Sequence, residues 1–270
     1  MLPKGQRRLF SACALAFAFL AGPLPSSTGG GEIPVGLPAA AAPREETQDP
    51  PAPPTFPLRR TQIGVPENNP LELYPPSTPA IAEPLILALH GKDMDPVELC
   101  EGWNQEGRPR GFLVCPAGNT AGAEPGEAFD WGGSPEDRLA ALDAQLAAVE
   151  TVYGPLLDHE KGDVVVGFSR GAFLARDLVY ARPGRFRGMI LLGAAVRLDP
   201  ERLRDAGVQR VLLASGDLDD ARKTMVHTAA FLPARGVEAR FVSLGPIYHK
   251  LPADLGRVMR EALRWIRDER

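Results

Sequence analysis

The sequence predicts an α/β protein with a mostly parallel, doubly wound sheet, and three observations carry that expectation. Short apolar runs such as Leu85-Ile86-Leu87-Ala88-Leu89 have no polar alternation, which suits strands buried on both faces. Segments with helical spacing alternate with those runs along the chain, the order that produces parallel strands joined by covering helices. The alternating part spans residues 70–270, enough for one domain with a single large core.

The elements follow in order. Residues 71–74 form a short first strand and residues 85–89 the first long one. Asp95-Pro96 supplies an N-cap and a first-turn proline for a helix through about residue 105. Residues 111–115 are the next buried strand. Ser134-Pro135-Glu136-Asp137 resembles a capping box, and Leu139, Leu142, Leu146 and Val149 then recur at helical spacing. Strands at 163–168, 189–192, 211–214 and 239–243 alternate with helices at 170–181, 220–234 and 253–266. In such a sheet the active site forms at the carboxyl ends of the strands.

The segment before this domain has a different composition. Lys4, Arg7 and Arg8 precede a mostly apolar stretch from Leu9 to Leu20, the charge-then-apolar order of an export signal over residues 1–22. That stretch is too short for a comfortable membrane span, so no stable membrane span is expected. Arg7-Arg8-Leu9-Phe10 partly resembles a twin-arginine signal, from which Gln6 departs. Residues 21–80 hold 15 prolines and 6 glycines, and residues 23–69 read as a proline-rich disordered linker. The net charge of −4 falls to about −7 if residues 1–22 are removed. An acidic chain with no basic stripe excludes a nucleic-acid partner. The expected location is outside the cytoplasm, periplasmic or extracellular.

The strongest chemical signal is Gly167-Phe168-Ser169-Arg170-Gly171, directly between a buried strand and a helix. In that context G-x-S-x-G forms a tight, strained turn. The flanking glycines let backbones approach, and the serine rises above the sheet. Together with Leu89-His90-Gly91 and an acid and a histidine later in the chain, this pentapeptide resembles the α/β-hydrolase superfamily across residues 70–270. In size the domain is similar to that superfamily's small esterases and thioesterases.

The resemblance implies Ser169 as nucleophile, with a carboxylate after the next-to-last strand and a histidine after the last. Of four histidines only His249 stands in that place. His90 belongs to the turn that shapes the oxyanion loop, His159 lies in a polar stretch read as solvated, and His227 falls mid-helix. For the acid, Ser215-Gly216-Asp217-Leu218-Asp219-Asp220 offers three carboxylates. The superfamily's usual spacing after glycine favours Asp219, with Asp217 as runner-up and Asp220 as an N-cap. Asp199 matches the placement in some lipases. The oxyanion hole is expected from the backbone N–H groups of Lys92 and Arg170. Either cationic side chain could attract an anionic substrate or simply face solvent.

The short connection from Leu192 to Asp199 leaves no room for a large cap domain. In the long loop at 116–133, Phe129 and Trp131 are candidates to wall an acyl pocket, or else to cover the core. With residues 1–22 removed, Cys100 and Cys115 are the two remaining cysteines. Both fall near one end of the sheet, and a disulfide between them is expected in an oxidising compartment. No phosphate loop, dinucleotide fingerprint or metal-ligand spacing is present in the sequence, so neither a cofactor nor a metal is implied. The expected activity is hydrolysis of small carboxylic esters or thioesters through an acyl-serine intermediate. The rivals are a non-catalytic binding protein of the same fold, and a peptidase or polyester depolymerase on the same triad.

Overall fold

The buried apolar runs and amphipathic segments assemble as layers in a computed structural model, which describes residues 59–78, 82–122 and 128–269. The strands are β1 (Thr61–Val65), β2 (Asn68–Tyr74), β3 (Leu85–Leu89), β4 (Phe112–Pro116), β5 (Thr120–Ala121), β6 (Phe129–Asp130), β7 (Asp163–Phe168), β8 (Phe186–Leu192), β9 (Arg210–Ser215) and β10 (Glu238–Ser243). The α-helices are α1 (Pro96–Glu101), α2 (Asn104–Gly107), α3 (Pro135–Tyr153), α4 (Arg170–Ala181), α5 (Pro200–Asp205), α6 (Arg222–Phe231) and α7 (Leu255–Ile266). Eight strands form one sheet in the order β1-β2-β4-β3-β7-β8-β9-β10, and β5 and β6 pair as a separate hairpin. From β4 to β10 every neighbouring pair is parallel, while β1 and β2 are antiparallel additions at one edge. No helix among the described residues is long and apolar enough to cross a membrane.

Both faces of the sheet are covered. Leu142, Leu146 and Val149 of α3, Ala172 and Leu178 of α4 and Met225 of α6 enclose one core with one face of the sheet. Leu99 of α1 and Val258, Met259 and Leu263 of α7 enclose the other. Local signals set the helix starts. Asp95 accepts the Val97 N–H at 2.8 Å with Pro96 at the first turn, and Ser134 and Asp137 close a reciprocal capping box.

Three expectations need correction. The domain does not begin at residue 70, because β1 lies inside the stretch read as linker. Ile63 and Val65 alternate inward, pair across a two-residue turn with β2, and pack on the core beside α3. A strand with enough buried apolar area outweighs a proline-rich composition. The rest of that stretch before residue 59, and the segment read as an export signal, lie outside the described residues. The helix expected through residue 105 breaks at Gly102 into α1 and α2. Asp220 does not cap α6, whose N-cap position is Ala221.

The connectivity places the site. After β3 the chain moves to β4 on one side, and from β7 it moves through β8, β9 and β10 on the other. The order reverses between β3 and β7, where a crevice opens at the carboxyl ends. The register aligns Leu89 with Gly167 and Phe168 with Leu192, so the residues following β3, β7 and β8 meet there.

Candidate active site

Ser169 follows the last residue of β7 and immediately precedes α4. Its φ of +53° is strained for a residue with a β-carbon, and its N–H is held by the Leu192 carbonyl at 2.9 Å. The turn closes only because its glycines have no side chains. A β-carbon on Gly171 would lie 2.1 Å from the Leu89 carbonyl oxygen, and one on Gly167 2.6 Å from Ala172 Cα. Arg170 stands at the first position of α4, where a backbone N–H has no acceptor within the helix.

The loops after β9 and β10 bring the other two groups. Their backbones are laced together: the Leu244 N–H donates to Ser215 O at 2.9 Å, Asp217 N–H to Gly245 O at 2.8 Å, and Leu218 N–H to Ile247 O at 3.1 Å. That lacing holds His249 with Nδ1 3.0 Å from Asp219 Oδ2 and Nε2 2.8 Å from Ser169 Oγ. Asp219 accepts at both oxygens, from the Ala221 N–H at Oδ1 and from the imidazole at Oδ2. With Nδ1–H donating to Asp219, Nε2 is free to accept the serine hydroxyl proton. The Asp219 carboxylate is 4% exposed and the His249 side chain 50%, so the acid is sealed while water reaches the imidazole. The His249 ring also lies against Phe168, with centroids 5.3 Å apart.

The other candidate carboxylates are occupied differently. Asp217 accepts the Ser243 hydroxyl at 2.6 Å and pairs with Arg222, Asp220 is exposed, and Asp199 caps α5 through the Glu201 and Arg202 N–H groups. His159 is not simply solvated, since it bridges Asp163 and Glu150 at 2.8 and 2.9 Å. His227 sits on α6, stacked with Phe231.

Ser169 and His249 open into a cleft of about 640 Å³ whose walls include Lys92, Met94, Phe168, Lys250 and Leu251. Neither Phe129 nor Trp131 lines this cleft, which corrects their expected role as pocket walls. Trp131 is buried at 1% exposure, stacks on His90 and donates its Nε1–H to the His90 carbonyl at 2.9 Å. Phe129 pairs through its backbone with Met94, whose side chain reaches the cleft. The hairpin thus braces the turn after β3. Sequence reading missed this because pairing between residues 94 and 129 leaves no local pattern.

His90 belongs to the same brace. The Gly118 N–H donates to its Nε2 at 2.9 Å, which leaves Nδ1–H to donate to the Gly91 carbonyl at 2.6 Å. Burial pushes its pKa down to about 4, so the ring stays neutral. The cationic side chains beside the site are also engaged, Arg170 with Asp130 at 2.5 Å and Lys92 with Asp93 at 3.1 Å. Cys100 and Cys115 form the expected disulfide, with Cα atoms 6.5 Å apart, tying α1 to β4. Among the described residues, no group of three or more histidine, cysteine or acidic side chains is placed to hold a metal ion.

This architecture is shared by solved structures. The esterase PE8 structure superposes with a TM-score of 0.57 over 76% of this chain and 100% of its own, at 24% identity. FphF, a fluorophosphonate-binding serine hydrolase of Staphylococcus aureus, gives 0.56 over 77% and 97%, at 14% identity. A Bacillus cereus carboxylesterase gives 0.53 over 73% and 93%, at 17% identity. The fold is that of the α/β-hydrolases. By sequence, a Nocardia uniformis subsp. tsuyamanensis protein named "Putative esterase NocK" is 30% identical to this chain over 159 residues. The match covers 54% of this chain and 44% of that protein, so the chain spans under half the length of the relative it matches. No family model matches the chain.

Proposed function

We propose that this protein is an exported serine hydrolase that cleaves small carboxylic esters or thioesters through an acyl-serine intermediate. The observation that carries the reading is the continuous hydrogen-bonded line Asp219–His249–Ser169, ending in an open cleft. The names of the α/β-hydrolase neighbours, esterases and a serine hydrolase, support it. The apolar stretch behind Lys4, Arg7 and Arg8, together with the Cys100–Cys115 disulfide, supports export.

In this mechanism His249 Nε2 takes the proton from Ser169 Oγ as Oγ attacks the substrate carbonyl carbon. The carbonyl oxygen becomes an oxyanion, received by the backbone N–H groups of Lys92 and Arg170. As the intermediate collapses, His249 returns the proton to the departing alcohol or thiol. A water molecule then repeats the cycle on the acyl-serine, releasing the acid and restoring Ser169. Asp219 holds the imidazole in its working tautomer and stabilises its charged form.

A fluorophosphonate probe tests the reading. It is expected to label the wild type covalently at Ser169, and labelling should vanish in Ser169→Ala and nearly vanish in His249→Ala. Absence of labelling and of ester turnover in folded wild-type protein would leave the non-catalytic binding reading in its place.

A further inference from the structure

The other end of the sheet holds a second cleft of about 420 Å³, where the starts of β7, β8 and β9 meet the last turn of α7. Its lining carries four cations, Lys161, Arg187, Arg210 and Arg267, against two acids, Asp268 and Glu269. Pairing separates these groups. Lys161 donates to the Ala82 carbonyl at 2.5 Å and lies 3.5 Å from Glu83. Arg210 bridges Glu238 and Asp268 and donates to the Trp265 carbonyl. Glu269 is held by Arg110 at 2.9 Å. Both acids of the cleft are therefore committed, and two guanidiniums remain.

Among the described residues, the side chains of Arg187 and Arg267 have no hydrogen-bond or ion-pair partner. Nε and Nη2 of Arg267 are buried in this unpartnered state. Glu269, Glu83 and Asp163 act on Arg267 by charge, yet none accepts a hydrogen bond from these buried N–H groups, and an anion that entered the cleft would supply the missing acceptors. The stem of Arg187 lies across Gly162, which keeps the guanidinium at the cleft wall. Gln209 adds an amide that also has no protein partner. The unmet groups include two planar guanidinium forks, whose geometry matches the oxygens of a phosphate.

We propose that this cleft binds a phosphate group through Arg187 and Arg267, as a ligand site separate from the hydrolytic one. The six residues of β7 separate it from Ser169 by roughly 20 Å at about 3.3 Å per residue. Occupancy therefore does not depend on the triad, and Ser169→Ala should bind phosphate as the wild type does. The phosphate is carried by a small soluble phosphomonoester or by an anionic lipid headgroup, which present the same oxygens.

The test is titration of the full chain with inorganic phosphate at constant ionic strength, read by calorimetry and by the rise in Tm that native-state binding produces. Saturable one-to-one binding is expected, weakened about tenfold or more in Arg187→Ala, as for loss of a charge-assisted contact. Arg187 is exposed, so this variant should fold even if Arg267→Gln does not. Glycerol 3-phosphate binding without pelleting on phosphatidylglycerol vesicles assigns the soluble source. Pelleting that Arg187→Ala abolishes assigns the headgroup. A Tm shift no larger than matched chloride produces, or equal phosphate affinity in wild type and Arg187→Ala, overturns the proposal.

Discussion

The two ends of the parallel sheet use histidine in opposite ways. At the carboxyl end His90 is sealed beneath Trp131, accepts the Gly118 N–H and is kept neutral by burial, its pKa down to about 4. At the amino end His159 lies between Asp163 and Glu150, and the Asp163 hydrogen bond raises its pKa above the ordinary value of 6.5. Around His90 the cross-links are neutral hydrogen bonds and ring stacking, with the disulfide nearby. Around His159 they are ion pairs among His159, Asp163, Glu150 and Arg185. The difference teaches that the end carrying strained Ser169 is fixed by contacts that do not titrate near neutral pH. The amino end tolerates the buried Asp163 carboxylate because His159, Arg185 and the Leu85 N–H all pair with it.

The largest expected effect separates the sealed carboxylate from its exposed neighbour. Asp219→Asn should lower kcat/KM by about 10³- to 10⁴-fold, whereas Asp217→Asn, which alters only contacts with Ser243 and Arg222, should stay within a few-fold. Steady-state ester kinetics on both variants check this, and the reverse ranking would overturn the assignment of the acid.

Reducing the Cys100–Cys115 bridge, which spans 15 residues, should destabilise by about 3 kcal/mol in the chain-entropy account, read as a lower denaturation midpoint. A comparable loss is expected from acid. The unfolded chain protonates His90 near 6.5 and the folded chain only near 4, so stability held above pH 6.5 is lost as pH falls towards 4. The shift corresponds to about 3 kcal/mol, and urea titrations of wild type and His90→Gln across that window should differ in slope.

His159 gives the smallest effect and the opposite sign. With its folded pKa raised, its contribution is complete below pH 6.5 and disappears as pH climbs through the raised value. His159→Gln should therefore cost stability at pH 6 and little at pH 9, and added salt should reduce the difference because the side chain is 36% exposed. A pH-independent cost for His159→Gln would mean that packing, and not charge, holds that end together.

Legibility from sequence followed the range of the interaction. The runs 85–89 and 163–168, the Ser134 cap and the strand–turn–helix passage at Ser169 declare themselves within a few residues, and each is where it was expected. The hairpin of β1 with β2 was hidden by proline content, although Ile63, Val65, Leu71 and Leu73 all point into the core. Its turn, Pro66–Glu67, puts Glu67 at φ +57°, a position where glycine or asparagine would have been the audible signal.

By itself the sequence determined the alternation of strand and helix, the elbow that lifts Ser169, and a short menu of partners for it. Those follow from burial periodicity and backbone sterics, which act between near neighbours. Only the tertiary structure decided which of three adjacent carboxylates faces His249, that Trp131 supports His90 instead of lining the cleft, and that Arg187 and Arg267 share an end of the sheet without partners. Each depends on loops or strand ends that are distant in sequence. Their meeting is set by sheet order and register, which no local pattern encodes.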